Sequence, residues 1–273
     1  MSEWWLGAPV SITGMHHSGT STVAELLHRC GLYLGREDQL FASGSDNPDE
    51  YWEHKGFRAI NERILRIYGG GRNLPPSLPA GWQEDERLRP LRSEAKRLLR
   101  EFDGHERWGW KDPRNSLTLP FWKSLVPGVK VVVCLRNPLQ VAFELSQRNR
   151  SSYASGLKLW TVYNQRLLST LPTDRYIVTH YDTYFYRPQV ELRRVLDFLR
   201  LPASDQLVAR VSSSTLGNLR YGHVTTQQSL EADAYPQLFE LYLRLCREAG
   251  WRHDHLIVSS TGGGEDVAGR PLI

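Results

Sequence analysis

The feature that most constrains the fold is a short β-prone segment that runs into a glycine-containing loop and then into a helix. Residues 8–13, with the sequence A-P-V-S-I-T, predict a strand that ends at Gly14. The helix is indicated by apolar side chains at helical spacing and a glycine in the position of a C-terminal cap: Val23, Leu26, Leu27, Cys30 and then Gly31. A strand, a loop and a helix in direct succession indicate an α/β unit.

Later segments repeat this alternation. Residues 129–135 (V-K-V-V-V-C-L) predict a strand that is buried on both faces, as in a parallel sheet, and residues 176–179 predict another strand. Helices are predicted for residues 138–149, 157–171, 188–199 and 236–249. The pattern predicts an α/β fold of the P-loop-like kind, with three layers and a mainly parallel central sheet flanked by helices. We expect one domain over residues 1–258 and a flexible tail over residues 259–273.

The loop that begins at Gly14 favours the binding of a phosphate group. Its glycines let the backbone approach a ligand closely, and its N–H groups converge on a helix N-terminus, where the helix dipole favours an anion. An ordinary strand-to-helix turn is the alternative. The residues predicted to bind the phosphate are Gly14, His16, His17, Ser18, Gly19, Thr20, Ser21 and Thr22.

The residue after Gly19 narrows the choice of phosphate compound. In nucleotide kinases and hydrolases a lysine follows the last loop glycine and contacts the β- and γ-phosphates. Here that residue is Thr20, and no acidic residue at a strand end is a convincing metal ligand. A donor that needs no metal therefore fits better. A kinase or hydrolase with a degenerate loop, and a non-catalytic nucleotide-binding module, stay open as alternatives.

Two strand-to-helix junctions together resemble the nucleotide-binding signatures of the sulfotransferase family. The S-G-T-S sequence at residues 18–21 resembles the 5′-phosphosulfate loop of that family, and L-R-N-P-L-Q-V-A at residues 135–142 resembles its 3′-phosphate signature. Residues 108–114 (W-G-W-K-D-P-R) are similar to a segment of tyrosylprotein sulfotransferases and of bacterial members. The resemblance covers about residues 8–200. It implies sulfuryl transfer from 3′-phosphoadenosine 5′-phosphosulfate (PAPS) without a metal, and it implies that Arg136 binds the 3′-phosphate.

The chain departs from the family pattern at two positions. Many members have Lys or Arg two residues before the loop glycine, where a cation contacts the bridging oxygen or the phosphate. This chain has His17, which is cationic only when protonated, so donor binding or turnover is expected to depend on pH. The family usually has a serine eight residues after the arginine, where this chain has Glu144, an unfavourable charge beside a phosphate.

Two further residues are candidates for the donor site. Ser146 is the serine nearest to Glu144, but it is a weak substitute because two residues along a helix turn a side chain by about 200°. Arg220 is either a late donor-binding residue or a surface arginine. How the 3′-phosphate site is completed therefore stays open.

Sulfuryl transfer needs a base for the acceptor hydroxyl and cations for the developing charge on the leaving group. Lys111 is the first candidate cation and Arg114 the second, although either can instead form an ion pair with Asp112. Glu53 is the first candidate base, because the aromatic pair before it can partly desolvate its carboxylate. His54 is the competing candidate.

Composition limits the partners and the compartment. The net charge is +4, with 28 Arg and six Lys against 30 acids, and the clustered basic runs of a nucleic-acid binder are absent. The three cysteines are far apart, and the apolar run before Gly14 is too short for a signal peptide or a membrane span. We expect a cytoplasmic enzyme that acts on a small-molecule, sugar or lipid acceptor. Whether it forms a homodimer stays open.

Overall fold

The central element of the fold is a four-stranded parallel sheet. The computed structural model describes residues 8–41, 51–149, 152–216 and 235–251. The strands are β1 (Val10–Thr13), β2 (Gly109–Lys111), β3 (Lys130–Leu135) and β4 (Tyr176–His180), in the spatial order β2-β1-β3-β4. Every neighbouring pair is parallel. The predicted α/β fold class is therefore confirmed.

Helices connect the strands and cover both faces of the sheet. The first half of the chain contributes α1 (Thr20–Arg29), α2 (Lys55–Ile67), α3 (Arg89–Arg100), α4 (Asn115–Leu125) and α5 (Pro138–Asn149). The second half contributes α6 (Tyr153–Thr170), α7 (Thr183–Tyr186), α8 (Pro188–Leu199), α9 (Asp205–Leu216) and α10 (Pro236–Glu248). None of the helices in the described ranges combines the length and the apolar character needed to span a bilayer.

Strand β3 separates two hydrophobic cores, because successive side chains of a strand point to opposite faces. Val131 and Val133 pack with residues of α5, α6 and α10 on one face. Val132 and Cys134 pack with residues of α1, α8 and α9 on the other face. A third core, built by α2, α3, α4 and β2, lies at the β2 edge of the sheet. Burial on both faces fixes the strand ends, and these position the candidate site.

Several predicted boundaries agree with the structure and others need correction. Helix α8 spans the predicted residues 188–199, and α10 ends at Glu248, one residue before the predicted end. Helix α6 begins earlier than predicted, at Tyr153, because the Ser152 side chain caps it by accepting a hydrogen bond from the backbone of Ser155. Strand β2 and helices α2, α3, α4, α7 and α9 were not predicted. The expected tail over 259–273 lies outside the described residues.

Candidate functional site

The loop between β1 and α1 depends on two glycines with positive φ. Gly14 has φ +144°, and a Cβ atom placed on it would lie 2.2 Å from the backbone oxygen of Cys134. Gly19 has φ +81°, and a Cβ atom there would lie 2.3 Å from the ring of Tyr181. Conformation and space thus both require glycine at these positions. They hold the loop against the ends of β3 and β4.

The loop leads into the N-terminus of α1, whose first N–H groups have no partner within the helix. Gly19 is the N-cap and offers no side chain to these donors, and no acidic residue stands in the first turn. The hydroxyl-bearing residues Thr20 and Thr22 are buried within this turn. Because the helix dipole adds a partial positive charge, the first turn of α1 favours an anion.

His17 occupies the left-handed region with φ 66°, which is uncommon for a residue other than glycine. Its side chain is buried, and its Nδ1 atom lies 3.3 Å from Oε2 of Glu144 on α5. The neighbouring His16 is also buried and packs edge-on against the ring of Tyr163, at a centroid distance of 5.5 Å. The two histidines therefore face the α5 and α6 side of the loop.

The two serines of the loop, Ser18 and Ser21, make defined contacts. Ser18 is buried, and its backbone N–H donates to the carbonyl of Met15 at 3.1 Å. Ser21 donates its hydroxyl to the carbonyl of Tyr51 at 3.3 Å, which connects α1 to the segment that carries Glu53.

Arg136 follows β3 directly and joins the two predicted junctions. Its Nη1 group donates to the carbonyl oxygen of His17 at 3.0 Å, and its Nε group donates to Gln140 at 3.2 Å. The guanidinium also lies over the ring of Tyr181, 4.7 Å from the centroid. Asn137 caps α5, since its side chain accepts a hydrogen bond from the backbone of Leu139 at 2.9 Å. Because β1 and β3 are parallel neighbours, Arg136 contacts His17, which lies 119 positions earlier in the chain.

Glu144 lies farther along α5 and pairs with Arg136. Its Oε1 atom is 2.7 Å from Nη2 of Arg136. Burial by itself raises the pKa of the Glu144 carboxyl, but contact with His17 and the charge of Arg136 outweigh burial and hold this pKa below its usual value. Glu144 is therefore a carboxylate at neutral pH, placed between two residues that were predicted to bind the donor.

A buried cluster of charges lies at the end of β2. Lys111 donates to Oε1 of Glu53 at 3.0 Å, and Arg114 donates to Oε2 of the same carboxylate at 3.1 Å. Arg114 also donates to Asp112 at 2.9 Å. Both interpretations of Arg114, as an ion-pair partner and as a second cation beside Glu53, are compatible with these contacts. Burial raises the pKa of the Glu53 carboxyl above its usual value.

Asn61 on α2 organises this cluster and was missed in the sequence. Its amide group donates to Asp112 at 2.8 Å and to Asn115 at 2.9 Å. Its oxygen accepts from Thr118 and from the Trp122 ring, both at 2.8 Å. Both hydrogens and both lone pairs of the amide are thus used. The amphipathic pattern of α2 could have shown that Asn61 faces the core, but no motif marks it.

His54 caps α2, because its Nδ1 atom accepts the backbone N–H of Gly56 at 3.1 Å. Its ring packs against Phe57 and Phe102. Burial is the main reason why the pKa of His54 falls to about 4.

The residue before Glu53, Trp52, has φ 64° and lies against the ring of His28. Glu53 itself is joined to Lys111 by a parallel backbone bridge.

Two candidates lie away from the junctions or outside the described residues. Ser146 donates its hydroxyl to the carbonyl of Phe143, one turn earlier on α5, at 2.7 Å. This bond occupies the hydroxyl within its own helix, as expected for a side chain turned away from Glu144. Arg220 lies outside the described residues.

The sequence comparison decides the family. The model of the sulfotransferase family matches residues 9–205, which include both junctions and the buried charge cluster. The chain belongs to the sulfotransferase family. No curated protein matches the chain in sequence.

Solved sulfotransferase structures share the fold at low sequence identity. The sulfotransferase STF9 from Mycobacterium avium is 13% identical, with a TM-score of 0.55, over 88% of this chain and 76% of that chain. The sulfotransferase domain from the curacin biosynthetic pathway is 16% identical, with a TM-score of 0.50, over 91% of this chain and 99% of that domain. At these identities the similarity establishes the sulfotransferase fold alone.

Proposed function

We propose that this sulfotransferase-family chain moves a sulfuryl group from PAPS to a hydroxyl of a small-molecule, carbohydrate or lipid acceptor. The observation that carries the proposal is the hydrogen bond from Arg136 to the carbonyl of His17. It joins the two junctions whose sequences resemble the 5′ and 3′ phosphate signatures of the family. The resulting site combines a helix N-terminus with a guanidinium, and both groups favour anions.

The donor would be held by the two junctions. The backbone of residues 14–19 and the hydroxyl-bearing first turn of α1 would bind the 5′ phosphosulfate, and Arg136 would bind the 3′ end. Gly14 and Gly19 support this assignment because their close contacts fix the loop before any ligand binds. His17, in its left-handed conformation, would contribute its ring or its backbone N–H to the 5′ group.

In the transfer, the acceptor oxygen forms a bond to sulfur while the bond from sulfur to the phosphate oxygen breaks. The electron pair goes to that phosphate oxygen, and Lys111 stabilises the negative charge there. The proton of the acceptor hydroxyl goes to Glu53. Because Glu53 pairs with Lys111 at 3.0 Å, protonation of Glu53 would free the charge of Lys111 for the leaving phosphate as it forms.

The contacts favour Glu53 over His54 as the base. Burial raises the pKa of the Glu53 carboxyl towards the range of an effective general base. Burial lowers the pKa of His54 to about 4, and its Nδ1 atom already caps α2. His54 therefore retains a proton poorly and acts in our proposal as a structural neighbour of the site.

A transfer assay tests the proposal. The chain is incubated with 35S-labelled PAPS and a panel of phenols, alcohols, sugars and hydroxylated lipids, with a chelator present. We expect label on at least one acceptor class, at a rate that the chelator does not change. No transfer to any acceptor, together with magnesium-dependent hydrolysis of ATP, would favour a nucleotide hydrolase instead.

The cytoplasmic location stays a prediction.

A further inference from the structure

Glu144 is the feature that the proposed donor site leaves unexplained. It lies on α5, eight residues after Arg136, and its carboxylate contacts both Arg136 and His17, at 2.7 Å and 3.3 Å. Arg136 is buried, and the Glu144 side chain is only one-third exposed. The pair is therefore largely removed from water. Away from water, the charge of each partner has a stronger effect on its neighbours.

Arg136 is already well supplied with acceptors from the protein. Its Nε group donates to Gln140, its Nη1 group donates to the carbonyl of His17, and its Nη2 group pairs with Glu144. Each of the three nitrogens thus has a protein acceptor. A phosphate that approaches this guanidinium must displace the carboxylate or lie beside it, and both routes oppose binding because carboxylate and phosphate have like charges.

The net charge of Arg136 and Glu144 together also disfavours a phosphate. One guanidinium and one carboxylate cancel, so the cluster has no net positive charge to offer a dianionic phosphate unless His17 is protonated. A neutral ribose hydroxyl is a better match, because it can donate to Glu144 and accept from Arg136. Dinucleotide sites use the same distinction: an acidic residue binds a free ribose hydroxyl, and an arginine accommodates a phosphate.

We propose that Glu144 is a specificity-determining residue that weakens the preference of this site for nucleotides that carry a 3′-phosphate. The inference rests on the proposed function, since it concerns the end of the donor that Arg136 would bind. The carboxylate holds Arg136 in competition with the ligand. The site consequently tolerates adenosine nucleotides with a free 3′-hydroxyl much better than it would with an uncharged residue at this position.

The test compares two probes that differ only in the 3′-phosphate. Adenosine 3′,5′-bisphosphate and adenosine 5′-monophosphate are titrated calorimetrically into the wild-type chain, Glu144→Gln and Glu144→Ser. We expect the ratio of the two dissociation constants, monophosphate over bisphosphate, to rise about tenfold in both variants, because a like charge beside the phosphate is removed. Glu94→Gln is the matched control, since Glu94 forms a surface pair with Arg63 at 2.5 Å, and it should leave the ratio unchanged.

Two other outcomes would contradict the inference, and one of them would contradict the proposed function as well. A ratio that stays constant or falls in Glu144→Gln, with bisphosphate binding intact in the wild type, would show that Glu144 merely positions Arg136. Absence of bisphosphate binding by all proteins would overturn the proposed function and this inference together. Because Glu144→Gln preserves the shape of the side chain, it keeps the test valid even if Glu144→Ser does not fold.

Discussion

At the scale of single residues, the buried charges around Glu53 are the most informative group. Lys111 and Arg114 both contact its carboxylate, and all three side chains are almost fully buried. Buried ion pairs contribute little net stability, because desolvation offsets much of their attraction. Removing one partner is costly, however, since it leaves an uncompensated charge. A small net contribution to stability is compatible with the catalytic role that we propose for this cluster.

Substitution of Lys111 tests this role. Lys111→Met should lower turnover by about 100-fold or more, because the leaving phosphate loses the cation that the proposed transfer assigns to it. The substitution should also lower the free energy of unfolding by about 3 kcal/mol, because the Glu53 carboxylate loses a buried cationic partner. Binding of adenosine 3′,5′-bisphosphate should change only a few-fold, and this separates lost chemistry from lost folding. Wild-type turnover in the variant would remove Lys111 from the mechanism.

His54 gives a prediction on stability and pH. Its pKa in the folded chain is about 4, well below its ordinary value of 6.5, so the unfolded chain binds the proton first as the pH falls. The free energy of unfolding should therefore decrease between pH 6.5 and pH 4, by up to about 3 kcal/mol from this residue. Above pH 6.5 the effect vanishes, because both states are neutral.

The replacement His54→Asn isolates this contribution. Asparagine can still accept the backbone N–H at the start of α2, but it does not titrate. Chemical denaturation at several pH values should show a shallower loss of stability towards acid in the variant, together with a lower stability near neutral pH from lost ring packing. Equal pH slopes in the two proteins would contradict the assignment.

At the scale of elements, the junction of β1 and α1 depends on Gly19. Gly19→Ala should destabilise the chain by about 2 kcal/mol or more, because the methyl group meets the Tyr181 ring and the residue keeps a positive φ. Gly31→Ala is a matched control: Gly31 also has positive φ, but no atom lies within 4 Å of the position that a Cβ atom would take, so only the backbone cost of about 1 kcal/mol applies. Urea denaturation that ranks the two variants equally would contradict the predicted close packing.

Elements differ in how well the sequence reveals them, for physical reasons. Strand β3 is predictable because six residues, nearly all of them buried, form an almost unbroken apolar run. Strand β2 has only three residues, too few to show a period, and its residues were recognised only as part of a motif. Helix α4 contains Pro120, which argues against a helix when the sequence is read alone.

At the scale of the whole molecule, the candidate site comes from segments far apart in the chain. The sequence predicted that the Gly14 loop and Arg136 both stand at carboxyl ends of strands, and the strand order places β1 beside β3. It could not show that Glu144 would bridge Arg136 and His17, because that contact depends on the rotation of α5. Tyr181, which packs under Arg136, was missed as well, although its position directly after β4 is a usable signal.

In the proposed function, Arg136 and the Gly14 loop together form one nucleotide site. The most direct measurement is a calorimetric titration of adenosine 3′,5′-bisphosphate into the wild-type chain and Arg136→Ala, without divalent metal. We expect one bound nucleotide per chain with micromolar affinity, and an affinity at least about tenfold weaker in the variant because the guanidinium contact is lost. No binding by the wild-type chain, or equal affinity in the two proteins, would contradict the claim.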